Sequence, residues 1–293
     1  MPRDHPLLPF LAVVAGIATF SLMDAAMKSA SMLAGVYSAL LFRNIVASAL
    51  MVPVWLTTGG KPPGKGALKV HVQRSVVVAC MAPLFFWGLV RIPMAEAIAI
   101  SFVAPLIALY FAAVMLGETI RPNAIIASLL GIAGVLTIGA ARFGSGEFSR
   151  ETALGTAAIL ASAVFYALNL VLQRKQALLA GPIEIAFFQN LIVASLFLAA
   201  APWLAVWPEP RALRDIALGG ALAVVALLLL SWGYARAEAQ VLVPIEYTGF
   251  LWAALFGWMW FGEQLDAATV AGAALIVVGC WTAARKRTEQ TAL

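Results

Sequence analysis

Ten stretches of about twenty apolar residues follow one another along this chain, separated by short polar connections, and this spacing fixes the class of fold. An α-helix rises about 1.5 Å per residue, so each stretch is long enough to cross a hydrocarbon layer of roughly 30 Å. Inside lipid no water satisfies the backbone, which leaves closed barrels and helices as the possible spanning structures. Residues 217–230 are apolar or glycine at every position, without the alternation a barrel strand needs. With 63% hydrophobic and 11% charged residues and a mean hydropathy of +0.95, the chain cannot clothe a soluble surface. The expectation is an all-α membrane protein whose surroundings are the lipid bilayer.

Apolar runs bounded by charges, glycine and proline place helices near 7–30, 35–57, 70–90, 95–116, 121–140, 152–174, 183–205, 214–234, 240–261 and 266–284. The apolar run from Leu7 is too long for a signal peptide and reads as an uncleaved first helix. The longest connections, 57–69 and 141–151, leave no room for a soluble enzyme domain. A net charge of +5 spread over loops and tails argues against a nucleic-acid partner and for setting orientation in the membrane. With the N-terminus inside, the inner loops and tails hold twelve of the nineteen Lys and Arg, Arg74 among them, so both termini are expected in the cytoplasm. Cys80 and Cys280 lie in apolar segments and read as small buried hydrophobes. No Walker loop, HExxH or nucleophile elbow is present, so no enzyme activity, cofactor or metal is expected.

The two halves of the chain resemble each other. Trp87-Gly88, Arg91, Gly117-Glu118 and Gly134 recur as Trp232-Gly233, Arg236, Gly262-Glu263 and Gly279, each 145 residues on. Ala95-Glu96-Ala97 recurs as Ala237-Glu238-Ala239, and Phe42-Arg43-Asn44 as Phe188-Gln189-Asn190. Each half holds five helices, an odd number, so the second must enter the membrane from the opposite side. Two inverted five-helix repeats are therefore expected, over 1–143 and 150–286, followed by a cytoplasmic tail at 287–293. Such a pair can rock about a central site, the recurrent design of secondary transporters.

Polar groups within apolar helices are costly and should face the protein interior. Ser162, Tyr166, Asn169 and Gln173 share one face of the sixth helix. At the repeat offset, Ser21, Asp24 and Lys28 on the first helix match Tyr166, Asn169 and Gln173. Both stripes are expected to line a shared cavity; a hydrogen-bonded seam between helices is the alternative. Asp24 and Lys28, four residues apart, are spaced to form an ion pair. Arg43 and Asn44, with Gln189 and Asn190 as repeat mates, and Gln240, Glu246 and Tyr247 complete the candidate substrate-contacting set. Trp87 and Trp232 are assigned as aromatic gate or anchor residues, and Pro105 and Pro244 as helix interruptions, with Pro83 a further one. Glycines on the fifth and tenth helices signal close packing but form no strict GxxxG, so a monomer is expected with a dimer left open.

The ordered motif from Trp87 through Ala95-Glu96-Ala97, Pro105, Gly117-Glu118 and Gly131 to Gly134, and its copy from Trp232 to Gly279, resembles the EamA-type repeat of the drug/metabolite transporter superfamily. The resemblance implies ten transmembrane helices, both termini cytoplasmic, a place in the bacterial inner membrane and export of small metabolites. Among the branches the chain looks most like YddG-type exporters of aromatic amino acids. A small amphipathic amino acid is the implied substrate; a broad drug or metabolite efflux protein is the alternative. The chain departs from the repeat where Pro244 is displaced relative to Pro105.

Overall fold

The computed structural model describes residues 7–116, 122–144, 149–234 and 247–284, and among these every regular element is a helix. In chain order they are α1 (Leu8–Ala34), α2 (Val36–Thr57), α3 (Lys65–Leu89), α4 (Met94–Ser101), α5 (Ala104–Leu116), α6 (Pro122–Gly144), α7 (Arg150–Ala177), α8 (Pro182–Leu204), α9 (Pro210–Tyr234), α10 (Gly249–Phe261) and α11 (Ala267–Ala284). Six of them, α1, α2, α3, α7, α8 and α9, are long and apolar enough to cross a membrane.

Three boundaries differ from the sequence expectation, each for a local reason. The helix expected over 95–116 is two helices. Pro105 has no N–H to give the Ser101 carbonyl and its ring crowds that carbonyl, so α4 stops at Ser101 and α5 starts at Ala104. The chain crosses the break with short-range bonds from Phe102 N to Ala99 O and Val103 N to Ile100 O. Pro83, by contrast, lies inside a continuous α3. That helix begins at Lys65, five residues before the apolar run, and Arg74, counted among the inner-loop charges, is buried within it together with His71. At the other extreme α1 and α2 are joined by Gly35 alone, whose φ of 78° is open to glycine and strained for other residues.

Helices of the first half pair with helices of the second: α1 with α9, α2 with α8, α3 with α7 and α6 with α11. The pairs run antiparallel. Along α1 and α9, Val13 meets Gly233 while Met27 meets Gly219; along α6 and α11, Gly134 meets Ile276 while Ile138 meets Gly272. Glycines let the backbones approach. A methyl group at Gly88 would stand 2.7 Å from the Gly155 carbonyl oxygen on α7, and one at Gly233 would stand 3.0 Å from the Pro9 carbonyl oxygen on α1.

Large apolar side chains face outward, among them Leu129, Leu136, Leu251, Trp258 and Met259, while alanines such as Ala25, Ala30, Ala97 and Ala99 fill the interior. Association in lipid depends on close packing of small residues, since the surrounding tails are as apolar as leucine. The bundle has two recognisable ends. The Gly35 end collects the α1/α2, α3/α4 and α10/α11 junctions; the Gly64 end collects the α2/α3 and α7/α8 connections.

Overpacking a tight helix contact costs about 1–3 kcal/mol. Gly88→Ala and Gly233→Ala are each expected to lower the melting temperature in detergent by several degrees. Gly66→Ala, whose methyl group meets nothing within 4 Å, is expected to leave it unchanged or slightly raised.

Candidate functional site

Three polar groupings occupy the inside of the bundle, one in its middle and one towards each end. The middle one pairs Asp24 of α1 with Arg43 of α2. Both are deep within the bundle, yet part of each side chain stays accessible, as expected of residues bordering an internal space. They lie within electrostatic range of each other but form no direct ion pair. Arg43 is poorly satisfied: one terminal nitrogen is 3.9 Å from the Met23 sulfur, the other 3.5 Å from Asn44 Oδ1, and the buried Nε has no partner. A buried guanidinium is expensive unless its charge and N–H groups are met. The arrangement is therefore a cationic and an anionic group held apart, with donors to spare. The rings of Phe20, Phe85, Phe102, Tyr166 and Tyr247 pack against the central apolar core while staying partly accessible, and Tyr247 meets Phe102 edge-on at 5.2 Å.

At the Gly35 end, Lys28 Nζ donates to Glu263 Oε1 at 2.5 Å and to the Ile92 carbonyl at 2.9 Å. The other Glu263 oxygen accepts the Met94 N–H at 2.7 Å, so one carboxylate ties α1 to the start of α4. The ammonium also sits 5.1 Å from the Phe261 ring. The ion pair expected between Asp24 and Lys28 is thus corrected: the two share a helix face, but Lys28 is one turn nearer the junction, where a carboxylate and a free carbonyl converge on it. At the same end, Arg91 stacks on Trp87 at 3.5 Å and binds Glu151 at 2.8 Å.

Towards the Gly64 end, the buried Arg74 of α3 reaches across to α7. Its Nε donates to Asn169 Oδ1 at 2.8 Å, and its terminal nitrogens to Gln176 Oε1 at 2.6 Å and Gln173 Oε1 at 3.1 Å. Gln176 continues to His71 at 2.6 Å, and His71 to Glu184 of α8 at 3.0 Å. Further along α7, the Ser162 hydroxyl donates to the Met81 carbonyl at 3.0 Å. In this conformation Ser162, Asn169 and Gln173 therefore close onto α3 as a hydrogen-bonded seam, while Tyr166 keeps a half-buried place on the same face.

The remaining candidates are dispersed. Ser21 is buried, its hydroxyl 3.5 Å from the Gly249 carbonyl. Asn44 and Asn190 each donate to a carbonyl one turn back in their own helix, Leu40 and Ala186 respectively, and Gln189 is half-buried on α8. Trp232 is half-buried near the end of α9. Gln240, Pro244 and Glu246 lie outside the described residues. Sequence reasoning passed over His71, Arg74, Gln176, Glu184 and Glu263. In the sequence Arg74 counts with the inner-loop charges and the repeated Gly-Glu pair marks only the repeat, although a carboxylate recurring at the end of an apolar segment is a usable signal.

This architecture agrees with comparisons to known proteins. Over 287 residues the chain is 30% identical to the pseudopaline exporter CntI of Pseudomonas aeruginosa, covering 94% of this chain and 95% of that one. It is 22% identical over 241 residues to an S-adenosylmethionine uptake transporter of Rickettsia prowazekii, covering 80% and 78% of the two chains. With the aromatic amino acid exporter YddG of Ancylobacter novellus it shares 28% identity over 166 residues, 56% of this chain and 57% of that one. One family description matches twice, over residues 7–140 and again over 153–285. The chain belongs to the EamA-like transporter family, and is a multi-pass helical membrane transporter.

Proposed function

We propose that this protein exports small zwitterionic metabolites, amino acids or compounds derived from them, across the bacterial inner membrane by alternating access. The observation that carries the substrate class is the separated pair Asp24 and Arg43. A ligand with a carboxylate and an ammonium completes both: the carboxylate meets the bare Arg43 donors, the ammonium meets Asp24, and the aromatic rings nearby receive an apolar side chain. Two relatives that are named exporters, CntI and YddG, support the outward direction; the Rickettsia relative, an uptake transporter, works the other way.

The mechanism we propose takes the two halves as inverted repeats. Gly88 of α3 packs on Gly155 and Ile159 of α7, and its repeat mate Gly233 of α9 packs on Pro9 and Val13 of α1, so the α3/α7 and α1/α9 contacts correspond at the repeat offset. The two clusters flanking the middle pair act as alternating closures, Lys28–Glu263 on the outer side and Arg74–Asn169–Gln173 on the cytoplasmic side. Both termini are then cytoplasmic, each repeat is one rocking unit, and no bond is made or broken. Tyr247, edge-on to Phe102, belongs to the same path.

The test is counterflow of a labelled aromatic amino acid into proteoliposomes preloaded with amino acids, sugars, nucleosides or cationic drugs. Exchange driven by amino acids is expected, with Asp24→Asn and Arg43→Gln each reducing it at least about tenfold, the loss of one charge-assisted contact of roughly 1.5–3 kcal/mol. Exchange of drugs or sugars alone, indifferent to these substitutions, would overturn the substrate class. For the outer closure, removing one partner of a buried pair costs about 3–5 kcal/mol, whereas removing both leaves little uncompensated charge. Lys28→Met is accordingly expected to lower the detergent melting temperature more than the double variant Lys28→Met/Glu263→Gln does.

A further inference from the structure

Arg74, Gln176, His71 and Glu184 form one chain of hydrogen bonds, and its direction is fixed from the inner end. A guanidinium has donors only, so Arg74 forces Gln176 to present its oxygen. The Gln176 amide nitrogen must then face His71 Nδ1, and since that nitrogen is a donor, Nδ1 must carry a lone pair. The single imidazole proton is consequently on Nε2, donated to Glu184. All four groups are satisfied in one state, with His71 neutral and in one tautomer.

The geometry points to His71 as the proton-binding site that controls closure of the Gly64 end. A second proton would have to sit on Nδ1, against the N–H of Gln176. Gln176 cannot accommodate it by turning over, because its NH2 group would then meet the Arg74 donors. Proton uptake and loss of the Gln176–His71 contact therefore occur together, which cuts the link that continues the seam to His71 and Glu184 and leaves α3 and α7 held at this end by the Arg74 bonds alone. Imidazole is the side chain whose charge changes between about pH 5 and 8, which suits it to such a switch.

The surroundings supply both the access and the balance. Glu184 lines a recess at the Gly64 end together with Trp55, Lys61, Pro62 and Ile183, so the pair is one residue removed from water although His71 itself is fully buried. The groups facing the imidazole are Arg74 on its own helix, which opposes a second positive charge, and Glu184 on α8, which favours it. From α7 comes the neutral Gln176, and from α8 the Phe188 ring, stacked at 5.5 Å. Lys61 lies across the recess with Glu184. Protonation thus exchanges a neutral closed network for a His71–Glu184 ion pair and a loosened seam. Only the description of this end as a closure rests on the alternating-access reading; the identity of the substrate plays no part.

Hydrogen exchange of the full chain in lipid nanodiscs, corrected for intrinsic rates, tests this without substrate. Between about pH 7.5 and about pH 5.5, amides over residues 169–177 and 66–76 of the wild type are expected to exchange roughly fivefold faster at the lower pH. His71→Gln keeps an acceptor for Gln176 and a donor for Glu184 but cannot titrate, so both segments should stay protected at both values. Gln176→Leu should leave them exposed at both. An unresponsive wild type, or a His71→Gln variant that responds as the wild type does, would overturn the assignment. Absence of amino acid counterflow would count against the substrate class and leave this result standing.

Discussion

Lipid offers no hydrogen-bond partner, and the rest of this structure depends on that single condition. Each polar group inside the bundle must be met by another part of the chain, so helices take care of the backbone and side-chain hydroxyls fold back onto it: Thr19 to Ala15, Ser48 to Asn44, Ser101 to Ala97. Glycine and alanine at the helix contacts bring partners close enough to complete the remainder. Against this background an unsatisfied group is conspicuous. Among the described residues, and besides Ser31, Ser75 and Trp252, the buried side-chain atom without a partner is the Nε of Arg43, in the middle of the bundle near a carboxylate with which it forms no direct ion pair.

The two ends solve the same problem with different chemistry. Lys28 and Gln173 occupy equivalent places in the two halves, 145 residues apart, yet one closes its end as an ion pair with Glu263 and the other as an amide accepting from Arg74. The first is a contact between two full charges, the second a set of hydrogen bonds from one guanidinium to neutral amides. The family description matches both halves, and at these equivalent places the two halves have diverged in side-chain chemistry.

Most of the architecture was legible in the sequence, because apolar length and the repeat offset are statements about lipid thickness and duplication that survive folding. Pro105 and Pro83 both read as interruptions, yet only Pro105 ends a helix, because a missing N–H weakens a helix locally and the packing around it decides whether it breaks. The site was harder to read. Arg74 follows Lys69 and His71 at the edge of an apolar run, and a charge there counts as solvated loop unless a partner helix is known to cover it. The ion pair assigned to Asp24 and Lys28 followed from spacing along one helix, but the partner that wins, Glu263, is 235 residues away and its position is set by the fold. Asn169 and Gln173 share a helix face in the sequence, but that Asn169 is buried, Gln173 exposed and both accept from one guanidinium is a tertiary fact.

Gly35 gives this arrangement a mechanical character. With one residue between α1 and α2 there is no slack, so the two helices are hinged like the arms of a compass at a point where the backbone angle is set. Asp24 and Lys28 ride on one arm and Arg43 on the other. The distance between the carboxylate and the guanidinium is therefore set by the angle at a single residue, and a side chain at Gly35 that shifted this angle would shift the spacing of the two charges with it.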